Sequence, residues 1–170
     1  EANNLTIMHS RKVPVNSGIL GQAALEAEPE IRQIFITGCD DRKALEDKLY
    51  LVRKAIERKV LDSSIDDKPA CYIASLSTST IVYKGMLSTM QLRQYFPDLT
   101  SPYFTSAIAL VHSRFSTNTF PTWSLAQPFR LIAHNGEINT IRGNRLWIKT
   151  RESVLKVPNL GSVSENISPI

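Results

Sequence analysis

The sequence predicts a mixed fold, α+β or layered α/β, rather than a doubly wound dinucleotide-binding sheet. Two observations carry this. Apolar, β-branched runs and amphipathic helical patterns are mixed along the chain, and neighbouring β-rich runs are joined by hairpin-like turns. No internal repeat or low-complexity stretch interrupts the 170 residues, so one domain over 1–170 is expected. With 42% hydrophobic and 21% charged residues, the chain has the apolar content for a sizeable core and is neither disordered nor fibrous in composition.

Residues 1–20 are polar and read as irregular, with Pro14 and Gly18 as loop punctuation. "QIFITG" (33–38) reads as a strand ended by Gly38. The segment 39–61 is the clearest helix: Leu45, Leu49, Val52, Ile56 and Val60 recur at spacings of four, three, four and four and form one apolar stripe. Asp40 or Asp41 caps its start and places negative charge at the positive end of the helix dipole. After a polar connector, 72–76 and 80–83 read as a hairpin around a Ser/Thr turn, closed by Lys84-Gly85. "LSTMQLRQYFPDL" offers a short helix that stops before Pro97. "TSAIALVHSRFST" and "RLIAHNGEI" read as strands running into polar residues, separated by a loop with Pro121 and Pro128. A last helix follows, capped by Asn139 or Thr140, with Ile141, Ile148 and Leu155 seven apart and Trp147 beside them.

The formal charge of +4 is spread over interleaved Lys, Arg, Asp and Glu, which reads as solvated surface rather than a nucleic-acid patch. Cys39 and Cys71 have neither metal-ligand spacing nor disulfide density, which fits a reducing compartment. No apolar run is long enough to span a bilayer, and no signal peptide is visible. No phosphate loop, Gly-x-Gly fingerprint or Gly-x-Ser-x-Gly elbow occurs, and the three histidines lack metal-like spacing.

Two apolar runs end alike. "ALVHSRFSTN" and "LIAHNGEINT" each pass from apolar residues through a His into a polar cluster. If the two strands are neighbours, Arg114, Ser116, Thr117 and Asn118 face Asn135, Gly136 and Glu137 at one sheet end. Arg is the side chain best suited to hold a carboxylate through two parallel hydrogen bonds. An Asn side-chain N–H beside a Gly backbone N–H is a natural pair of oxyanion donors, and Gly admits close approach because it lacks Cβ. The combination suggests acyl transfer on an amino-acid-like substrate. The plainer readings stand beside it: Asn-Gly is a common turn dipeptide, and His112 and His134 read as core histidines with satisfied hydrogen bonds rather than as bases. Arg130, Arg142 and Arg145 read as surface or salt-bridge residues.

Over "HSRFSTNTFPTWSLAQPFRLIAHNGEINTIRGN", with "STIVYKGM" and "RKVPVNSGILGQA…PEIRQIFI" upstream, the chain closely resembles the class II glutamine amidotransferase domain of glutamate synthase large subunits. That resemblance implies an Ntn-hydrolase-type four-layer αββα sandwich, here incomplete at both ends. It implies hydrolysis of L-glutamine to glutamate and ammonia by the thiolate of an N-terminal cysteine, whose own α-amino group is the base, through a thioester. The ammonia reacts with 2-oxoglutarate in an FMN-containing domain, with electrons from NAD(P)H or ferredoxin through an iron–sulfur cluster. Carried over, Arg114 grips the glutamine α-carboxylate, Thr117 and Asn118 line the pocket, and Asn135 and Gly136 form the oxyanion hole.

Two departures follow from the same comparison. The family's Asp for the substrate amino group has no match before Ile170, and the chain opens on Glu1 rather than on the family's Cys. Cys39 and Cys71 each sit inside an apparent element and lack a free α-amino group. The expectation is an internal piece of the domain that has no glutaminase activity alone and is marginally stable in isolation. Expected partners are L-glutamine, the rest of the synthase, and a small electron-transfer subunit or ferredoxin; no cofactor, metal, nucleic acid or membrane is expected on this segment. The compartment is cytoplasm, or plastid in a photosynthetic eukaryote. The alternatives are another class II amidotransferase or a non-catalytic basic binding module.

Overall fold

Strand β2 (Arg32–Thr37) forms where the β-branched run places it, and it pairs with a strand β1 (Thr6–Lys12) in the segment read as irregular. The computed structural model describes residues 4–134 and 140–154. The pair is antiparallel, running from Thr6 opposite Thr37 to Lys12 opposite Arg32, with a bulge between Ile7 and His9. In "TIMHSRK" only two residues are apolar, too few to announce a strand, so the ladder partner rather than local propensity decides the conformation. Gly38 leaves β2 with a φ of 139°, and a Cβ there would lie 2.4 Å from the Asn4 carbonyl oxygen. Only glycine suits that turn.

The chain also forms a 3-10 turn (Ser17–Ile19), α1 (Gln22–Glu26), α2 (Arg42–Leu61), a 3-10 turn (Lys68–Ala70), α3 (Gln91–Tyr95), a 3-10 turn (Pro97–Thr100) and α4 (Ile141–Val154). This mixture of helices with an antiparallel strand pair is an α+β arrangement. The Asp41 carboxylate caps α2 by accepting from the Lys43 and Ala44 N–H groups, both at 3.2 Å. Arg58 and Lys59 complement the dipole at its other end. Leu49, in the middle of the expected stripe, is its buried member. α3 stops where Pro97 forbids continuation. The Thr140 carbonyl accepts from the Asn144 N–H at 2.9 Å, the first bond of α4; Asn139 and Leu155 lie outside the described residues.

Four expected strands differ. Residues 72–76 and 80–83 form no ladder. Their Ser/Thr turn is instead gripped by α2: Glu46 accepts from Ser77 Oγ at 2.8 Å and from the Thr78 N–H and hydroxyl at 2.5 Å. Ser75 Oγ likewise accepts the Val82 N–H at 3.1 Å. Side-chain oxygens thus take up backbone donors that a ladder would use. These bonds hold the Glu46 carboxyl below its ordinary range, the Thr78 hydroxyl foremost. Residues 105–112 form no strand and bend at Ala107, and among described residues 130–134 contribute only the Phe129–Ile132 bridge. A β-rich run becomes a strand only beside another backbone.

The core lies where α3 meets the N-terminal segment and a loop read only as a connector. Val13, Ala24, Tyr95, Phe96 and Trp123 are its buried members. Tyr95 and Phe96 pack edge to face at 4.6 Å between centroids, and Tyr83 meets Phe96 the same way at 5.0 Å. The polar atoms of these rings are satisfied: Trp123 Nε1 donates to the Ala24 carbonyl at 3.0 Å and the Tyr95 hydroxyl to Glu28 at 2.6 Å. Asp98 closes the rim, accepting from the Arg11 guanidinium and, at 2.7 Å, from the Tyr83 hydroxyl. Gly85 lies against the Trp123 ring, where a Cβ would come within 2.4 Å of Cζ3.

Candidate functional site

Arg114, Thr117 and Asn118 lie on an exposed stretch whose conformation is held by local bonds. The Arg114 N–H donates to His112 Nδ1 at 3.1 Å, and the Asn118 N–H donates to Ser116 Oγ at 3.3 Å. The three candidate side chains are therefore open to solvent and to a ligand. Asn135 and Gly136, with Glu137, lie outside the described residues, so the expected meeting of the two polar clusters rests on positions the structure does not describe. His112 is half-buried and His134 exposed, so neither is the core histidine expected. Among the described residues, neither His lies in a strand. Cys39 and Cys71 also differ from expectation: Cys39 lies in the turn between β2 and α2, and Cys71 follows the 3-10 turn Lys68–Ala70.

What the structure does describe is the approach to Asn135. Trp123 and Ala126 are buried. The Ala126 N–H reaches the Trp123 carbonyl at 3.4 Å, and Gln127 follows immediately. Its carboxamide bonds both sides of one residue: Nε2 donates to the His134 carbonyl at 2.5 Å, and Oε1 accepts the His134 N–H at 3.1 Å. Between them, Phe129 and Ile132 exchange two backbone hydrogen bonds at 2.8 and 2.7 Å.

Lys84 fastens this segment from beneath. It is buried, donates from Nζ to the Ser124 carbonyl at 2.7 Å, and lies 5.1 and 4.7 Å from the ring centres of Tyr72 and Phe129. Burial pushes its pKa down to about 8, while the ring faces and the carbonyl favour the ammonium form. Trp123 and Gln127 belong to no motif in the sequence, and Lys84 reads there only as the close of a hairpin. A lysine followed by glycine looks like a turn, and the contacts that give these residues meaning reach across seven to 99 positions.

Among the described residues no group of three or more His, Cys, Asp or Glu could hold a metal ion, and no helix is long and apolar enough to cross a membrane. Residues 1–170 match the family of class-II glutamine amidotransferases. The chain belongs to that family. Relatives of this amidotransferase include the glutamate synthase (NADPH) large chain of Azospirillum brasilense, 45% identical over 163 residues that make up 94% of this chain and 10% of that one. The glutamate synthase (NADPH) large chain of Bacillus subtilis is 44% identical over 100% of this chain and 11% of its own. The ferredoxin-dependent glutamate synthase 2, chloroplastic, of Arabidopsis thaliana is 43% identical over 100% of this chain and 10% of its own. The chain thus spans about a tenth of the length of these relatives.

Proposed function

We propose that this chain is the glutaminase part of a glutamate synthase, releasing ammonia from L-glutamine for reductive transfer to 2-oxoglutarate. The observation that carries it is the 43–45% identity to glutamate synthases over nearly the whole chain. In this reading residues 1–170 are part of one amidotransferase domain with the four-layer αββα architecture. Arg114 grips the substrate α-carboxylate, its two parallel N–H groups fixing orientation as well as charge. Thr117 and Asn118 line the pocket. When a thiolate attacks the carboxamide carbon, the carbonyl oxygen gains negative charge, and the Asn135 side-chain N–H and Gly136 backbone N–H donate to it. These donors act most strongly where charge is greatest, so they lower the barrier more than they tighten substrate binding.

FMN, the iron–sulfur cluster and the electron donor belong to the rest of the synthase. A cluster takes about four ligating thiolates, and this chain has two cysteines, one on each side of α2. The residues present do not fit that group, and no step here passes through it. Relatives named for NADPH, NADH and ferredoxin all match this segment at similar identity, so the choice of donor is made elsewhere in the protein. The compartment follows the source organism, plastid or cytoplasm.

The test is Arg114→Lys in the complete synthase. Lys retains the charge but not the fork. Glutamine-dependent kcat/KM should fall about 10- to 100-fold, a loss of roughly 1.4–2.8 kcal/mol, while synthesis from added ammonia is unchanged. Equal losses with both nitrogen sources would refute the assignment.

A further inference from the structure

We propose that His112 is a positioning residue for Arg114: its imidazole fixes the main chain from which the guanidinium reaches the glutamine α-carboxylate. The Arg114 N–H donates to His112 Nδ1 at 3.1 Å, and among the described residues this is the one hydrogen bond of the Arg114 main chain. No strand forms at 105–112, so no ladder holds Arg114 from upstream. His112 is half-buried and Arg114 exposed, so the acceptor is the more firmly held of the two. The same device recurs further along, where the Asn118 N–H donates to Ser116 Oγ at 3.3 Å. In "HSRFSTN", Arg114 and Asn118 thus each follow, by two positions, a side chain that captures their N–H. Such a bond closes a turn without a partner strand. It gives a role to His112 and Ser116, the polar motif positions that the proposed chemistry leaves unused.

The effect belongs to binding rather than to turnover. The α-carboxylate keeps its charge while the side-chain carboxamide reacts, so a grip on it counts equally in the ground and transition states and is read in KM. Without the imidazole, the Arg114 main chain is ordered only as glutamine binds. Ordering one residue's backbone at that moment weakens binding about 5- to 30-fold. Two substitutions isolate the acceptor. Asn carries its Oδ1 two bonds beyond Cβ, where His carries Nδ1, and accepts the N–H two residues on in the same way. Leu has the same branching and no acceptor.

The inference rests on the assignment of Arg114 to the substrate α-carboxylate, and the experiment separates the two. In the complete synthase, His112→Leu, His112→Asn, Arg114→Ala and the His112→Leu/Arg114→Ala double variant are compared for use of glutamine and of added ammonia. His112→Leu should raise the KM for glutamine about 5- to 30-fold, with kcat within about twofold and ammonia-dependent synthesis intact. His112→Asn should restore KM to within about twofold of wild type. In the Arg114→Ala background, His112→Leu should lower kcat/KM for glutamine by less than about a further twofold, because His112 acts through Arg114. Where Arg114→Ala lowers kcat/KM, three results overturn the positioning role and leave the carboxylate assignment standing: an unchanged KM in His112→Leu, a loss in His112→Asn equal to that in His112→Leu, or an undiminished His112→Leu loss in the Arg114→Ala background. If Arg114→Ala leaves kcat/KM for glutamine intact, the carboxylate assignment falls and the positioning role with it. Should His112→Leu fail to fold, His112→Ala decides by the same criteria.

Discussion

At the packed end of the molecule, Tyr95, Phe96 and Trp123 are at most 3% exposed, whereas Ile108, Leu110, Val111, Leu131 and Ile132, on the stretches that lead to the site residues, are 55–85% exposed. Apolar content does not separate the two regions; polar anchoring does. Each large ring with a polar atom at the packed end is tied by it: Trp123 to Ala24, Tyr95 to Glu28 and Tyr83 to Asp98. These bonds fix the rings in orientations that interlock, and burial then adds its stabilisation. Among the described residues, the run 108–111 has only the Ser106 hydroxyl bond to the Ile108 carbonyl and 131–132 only the Phe129–Ile132 bridge, so most of their apolar surface is left open. The packed end thus sustains the fold, and the exposed stretches carry residues of the proposed site.

Trp123→Ala should break the packed end most severely. Removing a buried indole costs about 3–5 kcal/mol, and the Ala24 carbonyl also loses its donor. Urea unfolding should show this as a lower midpoint; a loss under about 1 kcal/mol would mean that this end does not sustain the fold.

Asp98→Asn sharpens the role of anchoring, with an expected loss of about 1–3 kcal/mol for bonds to a charged acceptor. The Arg11 guanidinium, foremost through its hydrogen bond, holds the Asp98 carboxyl below the usual carboxylate range. A folded-state pKa depressed in this way contributes stability that is present above about pH 4, where the unfolded carboxyl is ionised. That contribution is lost as pH falls through the folded value. Unfolding midpoints measured from neutral to acid pH should therefore converge for wild type and Asp98→Asn; a constant gap would assign the loss to packing instead.

The smallest effect belongs to the exposed stretch. Arg114→Lys should change unfolding stability by less than about 0.5 kcal/mol, because its side chain lies in solvent. A larger shift would show that the site stretch is part of the fold's support and would erase the distinction between the two regions.

By itself, the sequence determined the features whose causes are local. The stripe and Asp41 cap of α2 are set by i, i+3 and i+4 neighbours, and the stop of α3 by the next residue, Pro97. The family, too, was legible, because "HSRFSTNTFP" and "HNGEINTIRGN" are long contiguous motifs. Of the proposed site, the sequence names the residue types at Arg114, Thr117, Asn118, Asn135 and Gly136, and their roles are those of the proposed function. Only the tertiary structure decided that "TIMHSRK" is a strand, that Glu46 captures the turn at 77–78, that Trp123 is core rather than loop, and that Gln127 grips His134. A helix closes its hydrogen bonds within one turn, so its residues announce it. A strand, a buried indole or a side-chain clamp is completed by a group elsewhere in the chain, and a reading of neighbours along the sequence does not contain that group.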